Sequence, residues 1–241
     1  SCMTLYIQEW LEKTNGDFTK LKSKFGVSAT YHPIDSRVIL NYSQFDSKKT
    51  NPLVQECRGL VLDKNDWSIV AKGFNRFFNL GENRENDNKF AWTNTFINEK
   101  CDGSLILFYH YNGTYHVNTR STFGDGVYNG ITWRNLFNLA AQNTRVYSLP
   151  IQWTYVFELC SRYNKIVRDY PEPTLYLLSV FDKMGDEMHH DDVDDIATSY
   201  DLKRPLKVKL SSIDECIQYV ESQGNNDRTW EGLVLRDSNN L

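Results

Sequence analysis

The sequence predicts an α+β fold, largely antiparallel sheets with flanking helices, on three observations. Short runs with helical apolar spacing interleave with short strand-like runs along all 241 residues. One strand pair is joined by Asn112-Gly113, residues that tolerate the positive φ angles of a two-residue hairpin turn. No repeat, low-complexity tract or linker divides the chain, which is long enough for a sizeable core. The expected organisation is one domain over residues 3–241, with Ser1-Cys2 read as a cloning remnant ahead of Met3.

The elements follow in order. Thr4 is expected to cap a helix to about Lys13, with Leu5, Ile7, Trp10 and Leu11 as its apolar positions. Asp17 can cap a second, which buries Phe18, Leu21 and Phe25 and stops at Gly26. Val38–Tyr42 and Leu60–Asp63 read as short strands, and Trp67–Ala71 and Phe74–Leu80 continue a β-rich region. Thr95–Asn98 is extended and apolar, and Leu105–Tyr111 and Thr114–Arg120 form the hairpin. Thr132–Gln142 is helical. Trp153–Leu159 and Thr174–Phe181 are strands, the second so apolar that a central position is expected. Asp191–Asp195 suits a helix start. Ser212-Ile-Asp-Glu215 reads as a capping box for a helix that Gly224 ends, and Glu231–Arg236 as a last strand.

Composition narrows the function. A net charge of −4 carries no overall basic signature, so any nucleic-acid contact must come from a local patch or from sequence outside the chain. Five scattered cysteines without a C-x-x-C pair suit reduced thiols in the cytoplasm, not a disulfide framework or zinc site. No run of about 18 apolar residues predicts a membrane span, and no signal peptide opens the chain.

The stretch with most chemistry is Lys100-Cys-Asp102-Gly103-Ser, one amine between two extended segments, followed at fixed spacing by an acid and a glycine. A lysine presented that way suits a nucleophile for nucleotidyl transfer. Five other features stand in line with it. In Glu56-Cys-Arg58-Gly59, an Arg at a strand entrance can reach a phosphate or ribose; a turn with a solvated Arg is the plainer alternative. In Asn75-Arg76-Phe-Phe78, a ring can stack on a purine while the cation meets a phosphate, or the rings can be core beside a surface Arg. Arg120 ends the hairpin, at the rim where Lys100 can also lie, and an ordinary strand-end charge would look the same. Glu158 lies opposite the face shared by Trp153, Tyr155, Phe157 and Leu159, where an unpaired carboxylate is costly unless the strand is a solvated edge. Glu231-Gly232 opens the last strand. His189-His190 beside Asp191 could suggest a metal, but adjacent histidines are expected to point to opposite sides.

Together, in this order, these features resemble the ATP-dependent RNA ligase 1 family of T-even phages and fungal tRNA ligases, within the covalent nucleotidyltransferases. The likeness runs from about Val38 to Leu235 and includes Asn164-Lys-Ile-Val167 after Phe157-Glu158. It implies a nucleotidyltransferase (ATP-grasp-like) domain. Lys100 would be the adenylylated nucleophile. Glu158 and Glu231 would be the acids of the third and fourth motifs. Arg58, Arg76, Phe78, Asp102, Gly103 and Arg120, together with both acids, would contact the nucleotide, and no direct metal ligand is assigned. The implied cofactors are ATP and Mg²⁺ or Mn²⁺, and the implied partner is RNA with 5′-phosphate and 3′-hydroxyl ends, broken tRNA among them. In the implied reaction Lys100 takes AMP from ATP, the AMP passes to an RNA 5′-phosphate, and a 3′-hydroxyl displaces it.

The sequence departs from the phage enzyme at several points. Cys101 stands where that enzyme has Glu, Arg76 and Arg120 replace lysines, and a tyrosine near the nucleotide falls around Leu40 or Asn41. A closing Lys-x-Lys strand has no counterpart between Glu231 and Leu241, which implies weak adduct formation by this domain as it stands. The alternatives are a DNA ligase or an mRNA capping guanylyltransferase, separated by nick preference and by ATP against GTP. A non-catalytic nucleotide- or RNA-binding module of the same fold would bind ATP without a lysine adduct.

Overall fold

The computed structural model of the chain describes residues 3–76, 103–160 and 172–205, together with 96–99, 207–209, 214–215, 218 and 233–236. The first unit is helical. α1 (Tyr6–Thr14) and α2 (Phe18–Phe25) bury Ile7, Leu11 and Leu21. As expected, the Asp17 carboxylate accepts from the Lys20 amide at 2.9 Å and Gly26, at φ 68°, ends α2. Thr4 does not cap α1. The Glu56 carboxylate, fifty residues away, accepts from the Tyr6 and Ile7 amides at 3.1 and 2.9 Å. A buried acid serves there because α3 (Pro52–Glu56), a single turn capped by Asn51, sets Glu56 against the first turn of α1. Burial pushes the Glu56 carboxyl up, and the two amides and Lys72 pull it back.

A first antiparallel sheet has the order β1 (Val27–Tyr31), β2 (Arg37–Tyr42), β3 (Arg58–Asp63), β4 (Ile69–Ala71). A second has the order β11 (Thr174–Phe181), β10 (Thr154–Cys160), β6 (Ser104–Tyr111), β7 (Thr114–Asn118). The β6–β7 turn has Asn112 and Gly113 at φ 50° and 86°, as the sequence requires. β5 (Phe96–Glu99) pairs antiparallel with β12 (Lys207–Lys209) and β13 (Leu233–Arg236), and β8 (Val127–Tyr128) with β9 (Ile131–Thr132). α4 (Trp133–Ala140), capped by Thr132, and α5 (His190–Ser199) complete the described elements. In the capping-box segment, Asp214, Glu215 and Gln218 are helical and the rest lies outside the described residues.

Strand alternation sorts the apolar residues into layers. Val38, Leu40, Leu60 and Leu62 pack on α1 and α2. Ile39, Val61 and Ala71 meet Leu107, Tyr109 and Val156 between the sheets. Ile106, Phe108, Tyr155, Phe157 and Leu159 pack on Leu136 and Phe137 of α4 and Val193 of α5. The order is therefore helices, sheet, sheet, helices. β11 is not central as its composition predicted. Among the described strands it pairs with β10 alone, and it is apolar because α5 covers one face and Phe74 meets Phe181 on the other. Arg37 closes one end of the inter-sheet layer. It is 3% exposed, forks onto Asp35 at 2.9–3.1 Å and donates to the Tyr109 hydroxyl at 2.7 Å.

Among the described residues no helix is long and apolar enough to cross a membrane.

Candidate active site

The other end of the inter-sheet layer gathers the predicted cations. The β2–β3 ladder slips at Leu40/Asn41, so that Leu40 faces Leu60 but Asn41 faces Arg58. Gly59 is the extra residue, at φ 73°, a conformation suited to glycine. Its amide donates to Asn41 Oδ1 at 2.8 Å. A Cβ on Gly59 would lie 3.1 Å from the Arg120 carbonyl oxygen and 3.2 Å from its Cα, so the glycine lets the segment after β7 come down onto β3.

Asn41 joins the two segments. Its Oδ1 also accepts from Arg120 Nε at 3.0 Å, and its Nδ2 donates to the Arg120 carbonyl at 2.9 Å. Thr119 Oγ1 accepts from the Thr122 amide at 3.0 Å in the turn that presents Arg120. The Arg120 guanidinium lies 4.7 Å from the centre of the Tyr42 ring, and the Tyr42 hydroxyl hydrogen-bonds Arg58. Burial and then the Arg120 charge lower the Arg58 pKa, with Tyr42 and Glu158 opposing them. Arg58 stays charged all the same, since a guanidinium does not deprotonate in proteins.

Glu158 enters from the second sheet, where it pairs with Leu105 at the start of β6. Its strand neighbours Phe157 and Leu159 are fully buried on the opposite face, as alternation predicted. Arg76 reaches the same end through its amide, which donates to the Gln55 carbonyl of α3 at 3.0 Å. Gly103, at φ 153°, crosses β10 so closely that a Cβ would lie 2.2 Å from the Leu159 carbonyl oxygen. Gly103→Ala should therefore destabilise the fold by about 2 kcal/mol through overpacking, read as a lowered unfolding midpoint in urea.

Of the predicted residues, the structure thus brings Arg58, Arg120 and Glu158 together, with Arg76 and Gly103 at the margins. Lys100, Phe78, Asp102 and Glu231 lie outside the described residues. Glu56, first residue of its motif, points away to cap α1. Asn41 and Tyr42 were missed as site residues. The nearest signal was the tyrosine position sought around Leu40 or Asn41, with Tyr42 next in line.

The chemistry of the donor set fits a nucleotide phosphate chain. Guanidiniums fork onto phosphate oxygens, and here two of them stand beside Tyr42 in a partly buried setting, with the Glu158 charge acting on Arg58. His189, His190 and Asp191 form the one group of three possible metal ligands among the described residues, within 4.8 Å of one another. Their rings do not diverge as expected. The centroids are 4.0 Å apart because the chain turns from extended to helical at His189. The group caps the N-terminus of α5, whose exposed amides favour an anion, and His189 Nδ1 accepts from the Asp191 amide at 3.3 Å.

Comparisons with known proteins bear on the family and the fold. A protein of Autographa californica nuclear polyhedrosis virus, provisionally named bifunctional polynucleotide kinase/RNA ligase, is 32% identical over 94% of this chain and 34% of its own length. A Thermovibrio ammonificans protein, provisionally named RNA ligase, is 25% identical over 80% of this chain and 50% of its own. This chain therefore spans about a third and a half of these relatives. Among solved structures, an archaeal ATP-dependent RNA ligase superposes with a TM-score of 0.65 at 16% identity, over 98% of this chain and 62% of that one. A protein from Aquifex aeolicus, provisionally named ATP-dependent DNA ligase, gives 0.59 at 15% identity, over 95% and 59%. At these identities the likeness is one of fold. The model of the family described as RNA ligase (RNA_lig_T4_1) matches residues 56–241, from the Arg58 motif through Lys100 and Glu158 to the last strand, and the chain belongs to that family.

Proposed function

We propose that this chain is the adenylyl-transfer domain of an ATP-dependent RNA ligase that joins RNA 5′-phosphate and 3′-hydroxyl ends through a lysyl-AMP at Lys100, and that broken tRNA is among its substrates. The observation that carries the reading is the constellation of Arg58, Arg120, Asn41 and Tyr42 opposite Glu158, at the end of β6 nearest Lys100 in sequence. The solved ligases of this fold and the viral relative named for both kinase and ligase activity support it.

In this reading Arg58 and Arg120 hold the phosphates of ATP, and Arg76 adds positive charge at the rim. Together they draw charge off the α-phosphorus and steady the departing pyrophosphate. Glu158 would hold the ribose, or a water of a divalent ion were one bound, instead of taking the lysine proton. A bound divalent ion, Mg²⁺ or Mn²⁺, would neutralise further phosphate charge. The reduced, buried thiols of Cys57 and Cys160 suit the cytoplasmic setting proposed for the enzyme.

The test is intact mass after prolonged incubation with ATP and Mg²⁺, which should rise by one AMP in a part of the protein, in keeping with the weak adduct formation expected of this domain, followed by sealing of nicked RNA against nicked DNA. No adduct in the parent chain would overturn the reading, and an adduct with GTP in place of ATP would favour a capping enzyme. Asn41 supplies a graded check. Asn41→Ala should slow adduct formation by about 10- to 100-fold through a misplaced Arg120. Asn41→Asp should recover part of this, because it keeps the acceptor for Arg120 Nε and loses only the donor to the Arg120 carbonyl. Equal rates in all three proteins would remove Asn41 from the site.

A further inference from the structure

The loop between β2 and α3 leaves the candidate site directly after Tyr42 and holds its shape by its own hydrogen bonds. The Ser43 amide donates to Ser47 Oγ at 2.9 Å, and the Asp46 amide to Ser43 Oγ at 3.1 Å. Ser47 Oγ donates to the Gly26 carbonyl at 3.1 Å, and a Cβ on Gly26 would lie 3.0 Å from the Asp46 carbonyl carbon, so the loop rests on the C-terminal turn of α2. At the far end Gln55 Nε2 donates to the Lys49 carbonyl at 3.1 Å, and the Gln55 carbonyl receives the Arg76 amide.

This ordered loop presents Phe45 at 96% exposure. A mobile loop would hide or disperse such a ring; a braced one keeps about the whole face of a phenyl group in water at a hydrophobic cost. Lys48 and Lys49 follow it, and Lys20, Lys22 and Lys24 are exposed on the adjoining α2. No acidic residue stands between Asp17 and Asp35, and Asp46 is the one acid within the loop. In a chain of net charge −4 this is a local basic patch. A fixed aromatic face interleaved with cations is the surface that takes single-stranded nucleic acid: bases stack on the ring, and lysines meet successive phosphates.

We infer that the Phe45–Lys49 loop is a docking platform for the single-stranded RNA end that is to be joined, one base stacked on Phe45 and its backbone against Lys48 and Lys49. The inference rests on the RNA ligase reading. It adds a route from the surface to the reacting phosphate, since the loop is continuous with Tyr42 on one side and, through Gln55, with Arg76 on the other.

The probe is a labelled single-stranded RNA about 12 nucleotides long, within the span that such surfaces cover, carrying a 5′-phosphate and followed by anisotropy at several salt concentrations. Phe45→Ala should weaken binding roughly tenfold, the scale of one lost base–aromatic stack. Lys48→Ala with Lys49→Ala should weaken it at low salt and flatten the slope of log K against log salt by about 1.4, for two lost phosphate contacts. All three side chains lie outside the nucleotide site, so AMP adduct formation measured without RNA should be unchanged. RNA affinity equal to the parent's in either variant overturns the inference, as does loss of the adduct in Phe45→Ala. Failure of the parent to form any adduct would instead sink the ligase reading and leave the RNA-binding result to be judged by itself.

Discussion

Lys100→Ala should reduce the protein–AMP adduct to background while leaving the chain folded. A free lysine amine has a pKa near 10.4 and is almost wholly protonated at neutral pH, so it attacks nothing unless its surroundings favour the neutral form. A cluster of cations does that, because a further positive charge is repelled. Arg58 and Arg120 are fixed cations of this kind at the end of β6 that follows Lys100 in the chain. In the step expected, the Lys100 Nζ–phosphorus bond forms as the bond from the α-phosphorus to the bridging oxygen breaks. Pyrophosphate leaves with the electron pair, and the amine proton goes to solvent. Alanine has no nucleophile, and Lys100→Arg should fail equally because its guanidinium cannot be deprotonated. Intact mass after incubation with ATP and Mg²⁺ reads both variants, and an adduct of undiminished yield in Lys100→Ala would remove Lys100 from its role. RNA already carrying AMP on its 5′-phosphate should still be sealed by Lys100→Ala, since that substrate bypasses the lysine.

The second large effect is on stability. Arg37→Ala should cost about 3 kcal/mol, the lower end for breaking a buried ion pair because the Asp35 side chain is 22% exposed. That corresponds to a fall in Tm of about 6–12 °C for a chain of this size. Arg37 satisfies several partners at once. It forks onto Asp35, donates to the Tyr109 hydroxyl, which donates onward to Asn118 at 2.9 Å, and lies 5.0 Å from the Phe123 ring centre and 5.4 Å from that of Tyr111. Alanine leaves the partly exposed Asp35 without its cation and the fully buried Tyr109 without a donor to its hydroxyl. Arg37→Lys keeps the charge without the fork and should fall between the two.

The pH dependence has a definite sign. Burial raises the Asp35 carboxyl, but the Arg37 hydrogen bonds and charge outweigh it and the net shift is downward from 3.8. The contribution to stability is therefore present above that value and lost as pH falls through the lower folded value. Thermal melts of the parent and Arg37→Ala should differ most at neutral pH and converge in acid. A Tm gap that stays constant down to pH 2 would contradict the assignment.

Much of this architecture was legible because the signals were local. Asp17 and Gly26 bound α2, Asn112-Gly113 turns the β6–β7 hairpin, and alternation in β10 put Glu158 opposite Tyr155, Phe157 and Leu159. Other elements carried no such signal. β1 alternates only over four small residues, with Val27 buried and Ala29 half-buried between exposed Ser28 and Thr30, and α3 is one turn of five residues, too short for helical periodicity. The apolar run of β11 did not say which neighbours cover it, because a helix and a second sheet exclude water from an edge strand as well as flanking strands do.

For the site, the sequence alone determined the kinds of groups and their order: a lysine between two strands, arginines at strand ends, and carboxylates entering apolar strands, which together were enough to identify the family. The tertiary structure alone decided which side chains stand together at the candidate site. It took Glu56 out of the site to cap α1, and it brought in Asn41, which holds Arg120 from seventy-nine residues away, and Tyr42, which carries both arginines. The physical reason is range. Caps, turns and alternation act within a few residues of the chain, whereas a hydrogen bond to a distant partner exists only once packing has set two atoms about 3 Å apart.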